Sequence, residues 1–307
     1  MTNASDLPFI INTAKVIENY LVCPRSRDPL AVRGDVITCS VCGFRGRVQD
    51  GVAVVESGKN ASFFDDKFEV MAQGHWKKGG DWELCYERQV KLVETLLSPG
   101  QVVLDLGCGP LLPYSRPLGA FAIGLDPSFP SIRANRQVDL AVCGTATNLP
   151  LPNHSVDIAV AFYSVHHMVG GTIRENEAII EKAFFELGRV IKPGGSLLVF
   201  EMTPWRPFAA LQGLLWNQAK RLLGPKLDMY FRSAQSMIAF GHLAFPDAIV
   251  ETIDYRFPAF KTLPPVFSLP WLRLPKLIYP LKARSYRWQL PNAGASITGP
   301  NPDNAPS

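Results

Sequence analysis

The segment Asp105-Leu106-Gly107-Cys108-Gly109 places an acid two residues before a pair of glycines, and glycine backbone lets a ligand approach with no Cβ in the way. Asp126 follows Asp105 by 21 residues, the distance at which the next strand of a doubly wound sheet sets a carboxylate to accept both hydroxyls of a ribose. A dinucleotide loop would need a third glycine at position 112, which is Leu112, so a pyrophosphate-binding turn is disfavoured. An acid ahead of the glycines suits a cofactor with an ammonium group and no phosphates. Three further groups could do chemistry. His166 and His167 could take a proton near neutral pH, and Glu201 and Tyr163 fall on the same expected edge. Cys23, Cys39 and Cys42 could ligate a metal.

These residues need a scaffold that brings strand ends together. Apolar strands are expected at Val102–Leu106, Phe121–Leu125, Val156–Phe162 and Ser196–Phe200, alternating with helical or loop stretches, the pattern of a parallel sheet with crossovers. The reading is an α/β fold with a doubly wound, mostly parallel sheet of seven strands. A helical pattern runs from about Ser62 to Leu97 and stops at Ser98-Pro99-Gly100. Pro110, Pro113 and Pro117 crowd the first crossover, so its helix should be short or distorted. Residues 1–60 look like a small separate β-rich unit, with strands expected in Val32–Thr38 and Gly51–Val55, followed by a main domain over 61–290. The tail 291–307, rich in Pro, Asn, Gly, Ala and Ser, is expected to be disordered.

Residues from about Val102 to Met202 resemble the class I S-adenosylmethionine-dependent methyltransferases, especially the branch that holds the ubiquinone and menaquinone methyltransferases. The likeness rests on the glycine loop, on Asn148-Leu149-Pro150-Leu151-Pro152-Asn153-His154-Ser155-Val156-Asp157, and on Leu187-Gly188-Arg189-Val190-Ile191-Lys192-Pro193-Gly194-Gly195. It implies S-adenosylmethionine as cofactor. Asp105, Gly107, Cys108 and Gly109 would surround its methionine part, Asp126 and Pro127 its ribose, and Thr145 and Ala146 its adenine, with Phe162 near by. Two positions depart from the family pattern. Thr145 stands where an acid commonly reads the adenine amino group, and Leu111 where the loop commonly has a small residue. The amino-terminal unit resembles zinc-ribbon modules that accompany some methyltransferases, through Leu21-Val22-Cys23-Pro24, the Cys39–Cys42 knuckle and Asp50-Gly51-Val52-Ala53. The position matching the second ribbon cysteine is Ser26, so three thiols remain for a site that takes four ligands. The preferred reading is a ribbon without metal, a zinc site closed by Asp28, water or a more distant group being the alternative.

Methyl transfer needs the acceptor in line with the sulfonium, and a base only when the acceptor must lose a proton. His166, His167 and Glu201 are the catalytic candidates for that step. The chain of 307 residues carries a net charge of +4, but Thr203 to Leu290 holds twelve Lys and Arg against four Asp and Glu. A lid insertion is expected over about 203–245, opening with an amphipathic helix whose covering face is Phe208, Leu211, Leu215 and Leu222. The basic run Phe267–Pro280 interleaves bulky apolar residues with cations. Together these suit an apolar acceptor or peripheral contact with a lipid surface. The favoured reading is methylation of an oxygen or carbon of a small-molecule or lipid-like metabolite. RNA methylation using the ribbon and basic region, and a non-catalytic partner with a cofactor fold, are the alternatives. No run reaches the roughly 18 apolar residues of a membrane span and no signal peptide is legible, so the cytoplasm is the expected compartment. The oligomeric state is left open.

Overall fold

A computed structural model describes residues 13–56, 83–255 and 279–292, with the side chains of 83–86 left out. Most of the expected tail, the run up to residue 278 and the first part of the helix expected from Ser62 lie outside the described residues.

The chain opens with α1 (Thr13–Tyr20), then β1 (Ala31–Arg33), β2 (Val36–Thr38), β3 (Arg45–Gln49) and β4 (Val52–Val54). α2 (Glu83–Leu96) leads into β5 (Val102–Leu106), β6 (Phe121–Asp126), α3 (Phe129–Ala134), β7 (Leu140–Cys143) and β8 (Val156–Phe162). After α4 (Ile173–Val190) come β9 (Ile191–Pro204), α5 (Arg206–Leu223), α6 (Ala234–Ala244), β10 (Ile249–Tyr255) and β11 (Leu281–Gln289). Three of the four expected main-domain strands match within a residue. β9 runs longer than expected, and no helix forms in the proline-rich crossover between β5 and β6.

All strands join one mixed sheet in the order β1-β2-β3-β4-β7-β6-β5-β8-β9-β11-β10. Seven strands were expected; among the described residues the sheet has eleven. Strands β5 to β11 supply seven, and β1 to β4 continue the sheet, because β4 pairs parallel with β7 in the register Val52↔Ala141 and Val54↔Cys143. That pairing covers an edge that would otherwise present unpaired N–H and C=O groups. The amino-terminal strands also share a core with the main domain. Ile17, Leu21, Ile37 and Phe44 pack in the same buried cluster as Leu104, Ile123 and Leu140. Arg27 ties the two further, donating from Nη1 to the Leu149 carbonyl at 2.8 Å and from Nη2 to Glu186 Oε2 at 2.9 Å.

α4 follows its amphipathic pattern. Thr172 caps it by accepting from Glu175 N–H, and Ile180, Ala183, Phe184, Leu187 and Val190 turn inward at helical spacing. α5 does not. Its buried side chains are Gln212 and Trp216, while Leu211, Leu215 and Leu222, expected on the covering face, stand exposed. Backbone satisfaction decides this orientation. Gln212 donates to the Phe231 carbonyl at 2.7 Å and accepts the Phe231 N–H at 3.1 Å, Asn217 accepts the Ile173 N–H at 3.0 Å, and Trp216 meets Tyr230 edge to face. The irregular chain before α6 has no strand partner there, and leaving its buried polar groups unmade would cost more than exposing leucines.

The shared core makes a prediction about cooperativity. All six tryptophans lie beyond residue 60, so their fluorescence reports only the main domain. Ala53 in β4 is fully buried, and Ala53→Asp would place an unpaired charge there. The substitution is expected to lower the tryptophan-monitored melting midpoint by several degrees; an unchanged midpoint would mean that the amino-terminal strands fold as a detachable unit.

Candidate active site

Strand order reverses between β5 and β8, since β6 and β7 follow on one side of β5 while β8 and β9 follow on the other. Such a reversal opens a crevice at the carboxyl ends of the strands, where open α/β sheets place their ligands. Gly107 turns there at φ 69°, and a Cβ on it would lie 2.5 Å from Ser164 Cβ, so glycine is what lets the loops after β5 and β8 close on each other. Ser164 Oγ secures the closure by donating to the Leu106 carbonyl at 2.9 Å. Gly109, at φ 58°, has no atom within 4 Å on its Cβ side and gives a ligand open access to backbone.

Two carboxylates lie beneath this loop. Asp126 Oδ2 accepts the Gly109 N–H at 2.9 Å and its Oδ1 accepts the Ser128 N–H at 2.8 Å, so it orders both loops at the crevice. Asp105 is buried more deeply, and its Oδ2 has no hydrogen-bond partner. Burial pushes its carboxyl up to about 7; the Tyr114 hydroxyl beside it works against that rise and the charge of Asp126 adds to it. Cys108 turns its sulfur inward against Gly124 and leaves its backbone for the loop, while Leu112 packs in the core. Pro127 borders the crevice, its carbonyl 3.6 Å from Cys143 Sγ, and Phe162 stacks on Phe200 at 4.3 Å. Thr145 and Ala146 follow β7, and Thr145 Oγ1 donates to Glu56 Oε2 at 3.2 Å. An acid therefore stands beside Thr145, brought by the end of the β4 extension. Sequence reasoning missed it because its neighbour is 89 residues away.

The histidines and Glu201 do come together. His166 Nδ1 lies 2.7 Å from Glu201 Oε2, and the His166 backbone N–H donates to Glu201 Oε1 at 3.1 Å. Burial alone would raise the Glu201 carboxyl, but the positive charge and hydrogen bonds of His166 outweigh it and hold the group below its usual range. His167 is paired separately, its Nδ1 3.4 Å from Asp228 Oδ2; burial and then the neighbouring His166 hold it below the usual histidine value. Phe231 stacks on the His166 ring at 5.3 Å, and the Tyr230 N–H donates to the His166 carbonyl at 2.8 Å. Arg232 spends its buried guanidinium on carbonyls, including Val165 at 3.1 Å and Met168 at 3.0 Å, which bracket the histidine turn. Asp228 and Arg232 were not foreseen. The available signal was that Asp228 is the one acid between Glu201 and Asp247. Tyr163 bonds Gln89 of α2 at 2.7 Å and braces the strand end.

The thiols of Cys23, Cys39 and Cys42 lie within 4.8 Å of one another, and Ser26 Oγ is 3.4 Å from Cys39 Sγ. Three thiols are one short of the four ligands of a structural zinc site, and no histidine, cysteine or carboxylate joins the cluster among the described residues. A separate cavity of about 250 Å³, lined by residues including Gln101, Asp157, Gly194 and Arg287, opens at the opposite strand edge, away from all of these groups.

Residues 104–199 match the family model described as a methyltransferase domain. An uncharacterised methyltransferase of Synechocystis sp. is 31% identical over 156 residues, covering 46% of this chain and 70% of that protein. A tRNA (carboxymethyluridine(34)-5-O)-methyltransferase of Arabidopsis thaliana is 31% identical over 171 residues, covering 52% of this chain and 39% of that protein. The chain thus spans well under half the length of the plant relative. Among solved structures, the [4+2]-cyclase SpnF superposes with a TM-score of 0.51 at 16% identity, over 77% of this chain and 98% of that one, a likeness of fold alone. The fold is of the Rossmann-like kind found among methyltransferases. The chain belongs to the class I S-adenosylmethionine-dependent methyltransferases.

Glu201 should show its pairing in stability. A carboxyl held below its usual 4.5 stabilises the fold above that value, and the contribution is lost as pH falls through the lowered one. Glu201→Gln is expected to cost about 1–3 kcal/mol at neutral pH. Thermal denaturation should show the gap between the two proteins closing below pH 4; a gap that stays constant into acid would mean that Glu201 is not held as an anion by His166.

Proposed function

We propose that the protein transfers a methyl group from S-adenosylmethionine to an oxygen or carbon of a small-molecule or lipid-like acceptor. The observation that carries the cofactor half is the buried Asp105 oxygen without a partner beneath an open glycine backbone. A buried carboxylate in that state is matched by a cation, and the amino acid part of the cofactor bears one. Asp105 would hold that ammonium, Gly107 and Gly109 would line the methionine part, and Asp126 would accept from the ribose while keeping its backbone bonds. Glu56 with Thr145 would meet the adenine amino group, an acid from the β4 extension doing what the residue after β7 cannot. When bound, the cofactor supplies an electrophilic methyl group on a positively charged sulfur.

The acceptor half rests on the His166 dyad. When His166 is unprotonated and donates Nδ1–H to Glu201, Nε2 carries the lone pair that would take a proton from an acceptor hydroxyl or acidic carbon. Glu201 then holds the resulting imidazolium. The surroundings favour a compact apolar acceptor, because Phe231 lies on the ring and Arg232 is turned to carbonyls and not toward a ligand. His167, held neutral by burial, packs beside His166 with ring centroids 4.2 Å apart and steadies it.

A second reading, methylation of RNA, is favoured by the likeness to the plant tRNA methyltransferase and by the basic carboxyl-terminal half. Incubation with labelled cofactor and a cell extract separates the two. The proposal expects label in the small-molecule or lipid fraction, lost in His166→Ala while cofactor binding persists. Label confined to RNA, or unaffected by the substitution, would overturn it.

A further inference from the structure

Helix α5 carries an unusual distribution of side chains. Leu211, Leu214, Leu215 and Leu222 are 52%, 71%, 49% and 85% exposed, and their spacing of three, four and seven sets them in one stripe along the helix. The opposite face is committed inward by Gln212 and Trp216, so the stripe cannot be turned to the core without breaking the bonds to Phe231. Along this stretch of the chain the charge has one sign. No Asp or Glu occurs from Met202 to Leu227, while Arg206, Arg221 and Lys226 flank the leucines and the exposed Trp205 stands at the helix start. Lys220 is engaged with the Leu227 carbonyl at 2.6 Å.

We propose that this face of α5 docks the protein on the surface of an anionic lipid bilayer, lying in the interface plane with the leucines among the acyl chains. An apolar stripe edged by Lys and Arg, free of acids and headed by a tryptophan is what an anionic interface selects. No helix among the described residues is long and apolar enough to cross a membrane, so α5 lies on the bilayer. A second copy of the chain fits less well. An 18-residue helix is about 27 Å long and about 10 Å wide, a footprint of roughly 270 Å², against the roughly 800 Å² per partner of a stable protein interface. Two positive faces would also repel. The inner side of the same helix grips Phe231, which stacks on His166, so docking would set the His166–Glu201 pair close to the lipid. The surface itself does not depend on which acceptor is methylated.

Vesicle flotation of the full chain tests this, with phosphatidylcholine vesicles that contain or lack phosphatidylglycerol. The intact protein is expected to float with the anionic vesicles and to remain behind with the neutral ones. Leu214→Gln with Leu222→Gln should lower binding at least about tenfold, and Arg221→Gln with Lys226→Gln severalfold, both with an unchanged melting midpoint. Failure to float with anionic vesicles, or flotation that the leucine pair does not affect, overturns the proposal. So does light scattering that shows a dimer in the intact protein and a monomer in the leucine variant, since the stripe would then be a contact between copies. Methyl-transfer results leave these readouts untouched, so the two proposals can fail separately.

Discussion

The crevice is organised around a carboxylate that folding has left incomplete. Asp105 is buried at the end of the first main-domain strand, with one oxygen unmatched and its carboxyl pushed up to about 7. Such a group destabilises the fold as it ionises: because its folded value lies above the unfolded one, the stability present in acid is lost as pH rises toward 7. A cation delivered to it reverses that cost. Around this point Gly107 closes against Ser164, Asp126 tethers Gly109, and the crossover is held open by prolines with no helix. A positively charged, phosphate-free ligand would match the charge of this carboxylate.

The second consequence of the architecture is that parts distant in sequence complete the crevice. Four amino-terminal strands cover the β7 edge and carry Glu56 to Thr145. The chain between β9 and β10 supplies Asp228 to His167, Phe231 to His166 and Arg232 to the carbonyls around both. α5 holds that stretch from behind through Gln212, and its other face is left to solvent or to a surface.

Much of this was legible in the residues, for physical reasons that also explain what was not. β5, β6 and β8 are mostly apolar runs buried along most of their length, a signal that depends on no partner, and the glycine loop and Asp126 follow from spacing along adjacent strands. β11 was missed because Lys282, Arg284 and Arg287 interrupt its apolar positions, although Ala283, Tyr286 and Trp288 are buried. The face of α5 was misread because leucine periodicity says which residues share a stripe and not which stripe turns inward; hydrogen bonding to Phe231 settled that. The joining of β4 to β7 and the meeting of Glu56 with Thr145 depend on pairing over some 90 residues, for which no local pattern codes.

If Asp105 meets the cation of the cofactor, it gives up a proton as the ligand binds. Calorimetric titration with S-adenosylhomocysteine, which keeps the amino acid and adenosine parts, measures this directly if repeated in buffers of different ionisation enthalpy. Release of close to one proton on binding is expected at pH 6 and almost none at pH 8, with the release absent in Asp105→Asn. Binding with no proton released at either pH would contradict it.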